Sequence, residues 1–318
     1  MRILMIGIND PAGTAMLFKR ALESHTGHSC RVATLETRYS HAWEKDLHVP
    51  DLDASGLEEL EDLLRRSDVL HFHMTADEHL QLGPFRPADY LAGKALVHHH
   101  HGHPDFRGNP EKYQDKYRRL GRKNLLVSTP DLLKKLPAAR WQPNLVMVNE
   151  PRYTPPARTD ADWAGPLRLA HSPTRRDLKN TDELLALAQR MGEAMRLDLI
   201  DDAPHAECLR RKKAAHACFD HMQGYYGMSS LEALSLGLAT IAGLDDWCAG
   251  HIREFAGVDD LPWLVARDGD ELERTLGDLA RDPALRRATG EAGRRFMLER
   301  WSDEKVAQRL DGFYRTLE

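Results

Sequence analysis

Short apolar runs alternate with helical patterns twice along the chain, and this alternation limits the possible folds more than any other feature. Runs such as ILMIGI at 3–8 and VLHFHM at 69–74 are each followed by apolar residues at helical spacing. Strands that alternate with helices predict parallel sheets, because the crossover between parallel strands is usually a helix that covers one face. We therefore expect an α/β protein with two doubly wound sheets.

Between the two series of alternating strands and helices, residues 149–166 carry four prolines and no periodic pattern. Proline fixes φ and lacks a backbone donor, so this segment predicts a linker or an irregular crossing between domains. The length of 318 residues also favours two domains over a single hydrophobic core. From residue 268 to 318 the pattern is helical throughout, with a break near Trp301–Ser302.

Composition argues against several classes of protein. The chain has 44 basic and 49 acidic residues, and the net charge of −5 gives no general attraction to nucleic acid. No apolar run approaches the roughly 20 residues that a membrane span needs. The four cysteines lie far apart without a CxxC pair, which is typical of reduced thiols. We expect a cytoplasmic protein with no nucleic-acid partner.

A basic loop follows the first predicted strand of the second half. In HSPTRRDLKNTDELL, the cations Arg175, Arg176 and Lys179 stand between a strand end and a helix start. Such a loop faces the crevice of an α/β sheet, where arginine grips phosphate with two hydrogen bonds and lysine adds a point charge. Taken alone, a solvated loop explains these residues slightly better.

The stretch QGYYGMSSLEALSLG at 223–237 combines a glycine-framed turn with the start of a helix. Gly224 and Gly227 allow close backbone approach to a ligand, and free N–H groups near Ser229 favour an anion. Glu232, in the first turns of this helix, offers a carboxylate to the two hydroxyls of a ribose. The alternative is a helix-start glutamate that the dipole stabilises and that binds nothing.

The two stretches occupy equivalent loops of one predicted sheet and complement each other. Cations for phosphate groups and a carboxylate for a ribose are what a nucleoside diphosphate needs. The sequence therefore predicts a nucleotide site outside the carboxyl ends of the strands, between the two halves.

The segment HSPTRRDLKNT followed by FDHMQGYYGMSSLEALSLGLATIAG resembles the donor-binding half of GT-B glycosyltransferases, most of all the retaining family 4 type. The resemblance implies that Glu232 holds the ribose hydroxyls. It also implies that Arg176 and Lys179 neutralise the diphosphate, with Arg175 as the alternative arginine. The likeness is strong over residues 168–243 and weaker over the rest of the chain.

One position departs from the family pattern. The first glutamate of the family's E-x7-E motif, which contacts the donor sugar, would fall at Gly224. A subset of the family has a GWYG-like turn instead, and GYYG with the upstream Asp220 is similar to it. Asp220 or Gln223 is the expected replacement for the missing acid. The donor-binding turn is also expected to include Tyr225, Tyr226, Gly227, Met228 and Ser229.

The first half agrees with this resemblance. MRILMIGINDPAGTAMLFKRAL is similar to the family's first strand, glycine turn and helix, and Gly13 would bring backbone near the phosphates or the acceptor. The implied architecture is a GT-B fold of two Rossmann-like domains. Residues 1–150 would form the acceptor-side domain, completed by a C-terminal helix at about 302–318 that crosses back. Residues 151–301 would form the donor-binding domain.

Three interpretations are open for the histidine-rich segment HHHHGHPDFR at 98–107. A metal site is not favoured, because neighbouring residues on a strand point to opposite faces and no second ligand set has metal spacing. Hydrogen-bonded structural histidines would explain two or three members. The resemblance implies a third role, in which His101 with Gly102 faces the donor sugar as a neutral hydrogen-bonding partner.

Two further residues are expected on the acceptor side. His73 ends another predicted strand, and Arg107 either binds an acidic acceptor or is a plain loop cation.

The sequence thus predicts an enzyme of glycan biosynthesis that moves a sugar from a nucleotide-diphosphate sugar to a glycan, lipid-linked or other acceptor. His101, Arg176 and Lys179 are its candidate catalytic residues. We expect a retaining reaction without cofactor or metal, and peripheral contact with the inner membrane face as an added option. The alternatives are a nucleotide-sugar 2-epimerase of the same fold, a non-catalytic nucleotide-sugar or glycan binder, and a metal-dependent hydrolase that uses the histidines.

Overall fold

The structure is a computed structural model that describes residues 1–37 and 44–317. The chain divides into two compact units. The first unit is Met1–Leu145 with Asp303–Glu318, and the second is Val146–Ser302.

The strands of both units are short. Within each sheet, all neighbouring strands are parallel. Their bounds are β1 Arg2–Gly7, β2 Ser29–Thr34, β3 Leu47–His48, β4 Val69–His73, β5 Ala95–His100, β6 Leu125–Val127, β7 Arg140–Trp141, β8 Leu167–His171, β9 Met195–Leu199, β10 Ala217–Phe219, β11 Ala239–Ala242 and β12 Trp263–Val265.

The helices connect these strands and form the end of the chain. Their bounds are α1 Thr14–His25, α2 Ala54–Arg66, α3 Pro104–Gly108, α4 Pro110–Arg119, α5 Asp160–Trp163, α6 Thr181–Met191, α7 His205–Lys213, α8 Met228–Ser235, α9 Asp246–Ala256, α10 Gly269–Arg281, α11 Pro283–Glu299 and α12 Asp303–Tyr314.

The first unit is built on a seven-stranded sheet with the order β3-β2-β1-β4-β5-β6-β7. The order reverses direction between β1 and β4, as in doubly wound nucleotide-binding folds. Apolar side chains of β1 and β4, among them Leu4, Ile6 and Phe72, are buried in its core. These strands read as continuous apolar runs because helices cover both faces of such a sheet.

The second unit has a five-stranded sheet with the order β12-β11-β10-β8-β9. This is the other common doubly wound order, and its direction reverses between β8 and β10. Leu169, Phe219 and Ile241 from its three central strands are buried with apolar residues of α6 and α10. The predicted α/β class is therefore confirmed.

Ten apolar runs in the sequence predict strands, and all ten are present as β1, β2, β4, β5, β6, β8, β9, β10, β11 and β12. The sequence did not predict β3 and β7, which are too short to show a pattern. Two predicted helices are wrong. The patterns of PADYLAG and PDLLKKL predict helices, but these segments form 3-10 turns at Pro87–Tyr90 and Pro130–Lys134, each led by proline. The proline-rich segment is also not structureless, since it contains a 3-10 turn at Pro151–Tyr153 and the helix α5.

The predicted helical tail is confirmed as α10, α11 and α12, with the last break at residues 300–302. The helix α12 packs on α1 in the first unit. All four cysteines are free thiols. In the part of the chain that the structure describes, no helix is long and apolar enough to cross a membrane.

Candidate functional site

The two stretches singled out in the sequence follow β8 and β10, the strands that flank the reversal of order in the second sheet. Ligands of open α/β sheets bind outside the carboxyl ends of strands at such a point. β8 ends at His171 and β10 at Phe219. The fold brings the stretches into contact, since Nζ of Lys179 lies 2.6 Å from Oδ1 of Asp220.

Asp220 organises the start of α8. Its Oδ2 accepts hydrogen bonds from the backbone N–H of Gly227 at 2.6 Å and from the Ser230 hydroxyl at 2.8 Å. Burial tends to raise the pKa of Asp220, but Lys179, His221 and the Gly227 N–H outweigh it and hold that pKa far below its usual range. The carboxylate is ionised and committed to these partners. Asp220 thus shapes the start of α8, and its role toward a sugar stays a prediction.

Gly227 is a place of close approach. A Cβ there would lie 3.0 Å from Nζ of Lys179 and 3.2 Å from the oxygens of Asp220, whereas φ is −107°, a value that any residue adopts. The absence of a side chain lets the Lys179 ammonium lie against the first turn of α8. The positive end of the α8 dipole and the ammonium beside it attract anions, and a phosphate bound there would share them with the Asp220 carboxylate.

Glu232 is buried, with 4% of its surface exposed. Its Oε1 lies 2.6 Å from Nε2 of His205, and its Oε2 accepts a 2.6 Å hydrogen bond from Nζ of Lys212. Burial favours a higher pKa, but the charge of Lys212 and the hydrogen-bonded His205 lower the pKa of Glu232 to about 2. Each carboxylate oxygen has two lone pairs, so each can still accept a further donor such as a ribose hydroxyl.

Lys212 is fully buried and makes its own network. Besides Glu232, its ammonium donates to Oγ of Ser229 at 2.9 Å, and that hydroxyl lies 3.0 Å from Oγ of Ser172. Burial by itself lowers the pKa of Lys212, but the neighbouring Glu232 carboxylate raises it above its usual value. The pair is therefore ionic, and it connects α7 with α8.

The two arginines of the basic loop are at the surface. Arg175 pairs with Asp177 and Arg176 pairs with Asp201, and each guanidinium-bearing side chain is about half exposed. Exposed ion pairs are weak and exchange partners readily, so both arginines can turn to an incoming anion. Lys179 is the member of the predicted trio that belongs to the buried network.

Gly224 has a backbone conformation that disfavours an acid at this position. Its φ is +85°, a left-handed value that costs an L-residue about 1–2 kcal/mol. Its carbonyl accepts the N–H of Asp245 at 3.0 Å. The carboxyl group of Asp245 lies 3.6–3.7 Å from the position that a Cβ on Gly224 would take. An acid is therefore present at this spot, but it comes from another segment.

The two tyrosines of the turn differ in environment. Tyr226 is fully buried and packs with ring centroids 5.6 Å from Trp301 and 5.7 Å from Trp263. Its ring belongs to the aromatic core of the second unit, which argues against its predicted place in the donor site. The ring of Tyr225 lies 4.5 Å from that of His221.

Three other predicted donor-site residues surround the turn. Nε2 of Gln223 donates to Oδ1 of Asn180 at 3.3 Å, so the basic loop and the turn are linked a second time. Met228 and Ser229 occupy the first turn of α8.

In the first unit, His73 and His101 lie together at the carboxyl ends of β4 and β5. Nδ1 of His73 is 2.9 Å from Nε2 of His101, and the rings are stacked 5.1 Å apart. Burial lowers the pKa of His101 to about 3 and that of His73 well below its usual value. His101 is therefore neutral at physiological pH, as its predicted role requires.

Arg107 is held within the same loop. It donates to Oδ2 of Asp131 at 2.6 Å and to the carbonyl of Gly102 at 3.2 Å. Gly102 has φ +80°, and a Cβ there would lie 2.8 Å from the guanidinium. Arg107 thus shapes the turn after His101, and its role toward an acceptor stays a prediction.

Gly13 has φ +61° at the start of α1, in the loop after β1. The helix is capped by Asp10, whose carboxylate accepts the N–H groups of Ala15 at 2.9 Å and Met16 at 3.1 Å. Burial raises the pKa of Asp10 to about 6 although these bonds oppose the shift. This is the position where Gly13 was predicted to bring backbone toward a ligand.

No protein-family model matches the sequence, and no curated protein matches it. Solved structures do match. HepE from Anabaena, in complex with UDP and glucose, has a TM-score of 0.68 at 12% identity, covering 100% of both chains. A glycosyltransferase from Rickettsia africae has a TM-score of 0.61 at 9% identity, covering 98% of both chains.

The chain has a GT-B fold. The same fold also includes a putative UDP-N-acetylglucosamine 2-epimerase from Listeria monocytogenes, with a TM-score of 0.54 at 11% identity over 99% of this chain and 96% of that one. Identities this low establish the fold, and the assignment to the retaining family 4 type stays a prediction.

Within this GT-B chain, three residues that contact predicted site residues were not predicted from the sequence. Lys212 lies in the run RRKK, which resembles a solvated helix face, and its signal is the helical spacing from the buried Leu209. His205 stands at the start of α7 and gave no signal. Asp245 reaches Gly224 from the segment before α9, a contact that only the tertiary fold creates.

Proposed function

We propose that this chain is a glycosyltransferase that moves a sugar from a nucleoside-diphosphate sugar to a glycan, lipid-linked or other acceptor. The observation that supports it is the juxtaposition of two arrangements where β8 and β10 end. One is the Lys179 ammonium at the N-terminus of α8, and the other is the Glu232 carboxylate held by Lys212 and His205. Phosphate and ribose are the groups that these arrangements recognise.

In the proposed reaction, the bond between the anomeric carbon and the diphosphate oxygen breaks while the acceptor oxygen bonds to that carbon. The negative charge on the leaving diphosphate is stabilised by Lys179, Arg176 and the N-terminus of α8, an electrostatic contribution that is in place before reaction. The proton of the acceptor hydroxyl passes to a diphosphate oxygen. A retaining outcome follows if the acceptor attacks on the face that the diphosphate leaves.

Nucleotide binding is the first test. UDP is the first nucleotide to try because the HepE structure contains it. At about 100 times its dissociation constant, a bound nucleotide raises stability by about 3 kcal/mol, which a thermal-shift screen of UDP, GDP, ADP and CDP detects. We expect a shift with one of the four. No shift with any of them contradicts the proposal.

A matched pair of variants tests the diphosphate contact. Arg176→Ala removes a predicted phosphate ligand, and Arg190→Ala removes a similarly exposed arginine that pairs with Glu273. A charged hydrogen bond contributes about 1.5–3 kcal/mol, so Arg176→Ala should weaken binding of the selected nucleoside diphosphate roughly tenfold or more. Titration calorimetry should show no change for Arg190→Ala and little change for the free nucleoside. Equal effects of both variants contradict the assignment.

A 2-epimerase is the second candidate, favoured by the structural match to the Listeria protein over nearly the whole chain. NMR analysis of UDP-N-acetylglucosamine incubated with the chain separates the two. A 2-epimer formed without acceptor supports the epimerase, whereas acceptor-dependent release of nucleoside diphosphate supports transfer. Nucleotide binding with neither product indicates a binding protein.

A further inference from the structure

Three buried histidines in the first unit form a cluster that the reaction steps proposed above do not use, and one of them, His73, was predicted on the acceptor side. The strand β4 has histidines at positions 71 and 73, and β5 has one at position 99. Alternate residues of a strand share a face, and the register pairs His73 with His99. His71, His73 and His99 therefore project from the same face of the sheet. We refer to these three residues as the histidine triad.

The triad is enclosed. The exposed fractions are 0%, 3% and 0% for His71, His73 and His99, in that order. The ring of His99 lies 5.6 Å from that of Phe18 on α1, and the ring of His71 lies 5.9 Å from that of Tyr314 on α12. The face that carries the triad is thus covered by α1 and α12.

The hydrogen bonds of the triad leave at least one nitrogen of each ring without a partner. Nδ1 of His71 lies 2.6 Å from the Tyr314 hydroxyl and Nδ1 of His73 lies 2.9 Å from Nε2 of His101. Nε2 of His71, Nε2 of His73 and both nitrogens of His99 are buried without a hydrogen bond. Each such atom costs about 1–3 kcal/mol. His71 and His73 each have an outer partner on one nitrogen and a bare second nitrogen, which is the arrangement of metal-binding histidines, whereas both nitrogens of His99 are bare.

One ligand nitrogen from each ring lies within 4.8 Å of the other two. Zinc–nitrogen bonds of 2.0–2.1 Å in tetrahedral geometry place ligand nitrogens about 3.3 Å apart, so small ring rotations would close the site. Three imidazoles select zinc and its first-row neighbours, because magnesium and calcium prefer oxygen ligands. The run HHHH supplies only His99 to this cluster, and β4 supplies the other two ligands, His71 and His73.

We propose that His71, His73 and His99 form a buried site for one transition-metal ion, zinc in the first instance. The ion would join β4 to β5, and through the Tyr314 hydrogen bond on His71 it would couple the sheet to α12. Three protein ligands leave a fourth position for water. Enclosure between the sheet and two helices favours a structural role for the ion, and the site takes up His73, which was predicted on the acceptor side.

The first experiment uses the full chain without an affinity tag, stripped with a chelator and reloaded. Elemental analysis after dialysis should find one zinc per chain. Cobalt in place of zinc should give the visible absorption of a tetrahedral site. Zinc should raise the melting temperature, and magnesium should not. Failure of the wild-type chain to retain zinc, or an equal response to magnesium, overturns the proposal whatever the variants do.

Matched variants locate the ion. His99→Gln removes a triad member, whereas His100→Gln changes its neighbour on the opposite face, where His100 lies 2.8 Å from the Tyr117 hydroxyl. His99→Gln should lower zinc retention at least tenfold and abolish the cobalt absorption, and His100→Gln should keep both. If both variants retain zinc, or both lose it while folded by circular dichroism, the triad is not the site.

Discussion

Lys212 is a residue where burial and charge conflict. An ammonium with no exposed surface is tolerated only when a carboxylate compensates it, and Glu232 lies 2.6 Å away. The same contact keeps Glu232 ionised in a buried position. The candidate ribose ligand is therefore held in its charged form by a residue that no nucleotide needs to touch.

Replacing Lys212 by methionine should leave the buried Glu232 carboxylate without its main partner. Removal of one member of a buried pair costs about 3–5 kcal/mol, so we expect a loss of that size in the free energy of unfolding, measured with urea. The double variant Lys212→Met/Glu232→Leu is the control, and it should recover most of the loss because neither charge is left alone. If the double variant is as unstable as the single one, loss of packing rather than of charge pairing is responsible.

The low pKa of Glu232 also predicts a dependence on pH. Because its pKa is about 2 in the folded state against an ordinary 4.5, the ionised side chain stabilises the fold above pH 4.5. That contribution disappears as the pH falls from 4.5 toward about 2. The difference in unfolding free energy between the wild type and Glu232→Gln should shrink over this interval. A difference that is constant with pH would place the pKa of Glu232 near its ordinary value.

Among the elements, the start of α8 depends on two glycines for different reasons. Gly224 has a left-handed backbone, whereas Gly227 leaves room for the Lys179 ammonium. Asp220, which directly follows β10, bonds Gly227 and Ser230 and so ties the start of α8 to the sheet. The turn is thus shaped by one conformational requirement and one steric requirement, which a sequence motif does not distinguish.

Substitution of each glycine by alanine should separate these requirements. Gly224→Ala should lower the free energy of unfolding by about 1 kcal/mol or more because of its φ of +85°. Gly227→Ala has no backbone strain, and its methyl group would displace the flexible end of Lys179. We expect it to change stability by less than about 1 kcal/mol and to weaken nucleotide binding severalfold. Urea titration and calorimetry on both variants make the comparison.

Over the molecule as a whole, the chain builds its first unit from both ends. α12 belongs to this unit although the second unit lies between it and β7 in sequence. Val306 and Leu310 are fully buried. Nε2 of Gln142 donates to the carbonyl of Val306 at 3.2 Å. The stability of the first unit therefore depends on the last residues of the chain.

Leu310→Ala tests this dependence. Truncation of a buried leucine to alanine costs about 2–5 kcal/mol, so the variant should unfold at clearly lower urea concentration. Gln308→Ala, on the exposed face of the same helix, should change the free energy of unfolding by less than about 0.5 kcal/mol. Hydrogen exchange should show weakened protection in α1 for Leu310→Ala. Unchanged protection in α1 contradicts the packing role of α12.

The sequence was enough to predict the α/β class and the strands that are long enough to show a pattern. It was also enough to predict the two loops that follow β8 and β10. This was possible because apolar periodicity and turn residues act locally. Two strands, β3 and β7, and the two proline-led 3-10 turns could not be predicted. Each contains too few residues for a periodic pattern to appear. The sequence also placed Glu232 at a helix start, which is a local property of LEALSLG.

Which side chains share a site depended on the tertiary structure. Lys212 meets Glu232, Asp245 reaches Gly224, and His71 joins His99 because strand register and helix packing bring distant segments together. The tertiary structure also showed that Tyr226 lies in the aromatic core of the second unit and that Asp220 bonds Lys179, Gly227 and Ser230. The physical reason is that the burial and pairing of charges depend on which residues are neighbours in space. Local patterns along the chain do not reveal those neighbours.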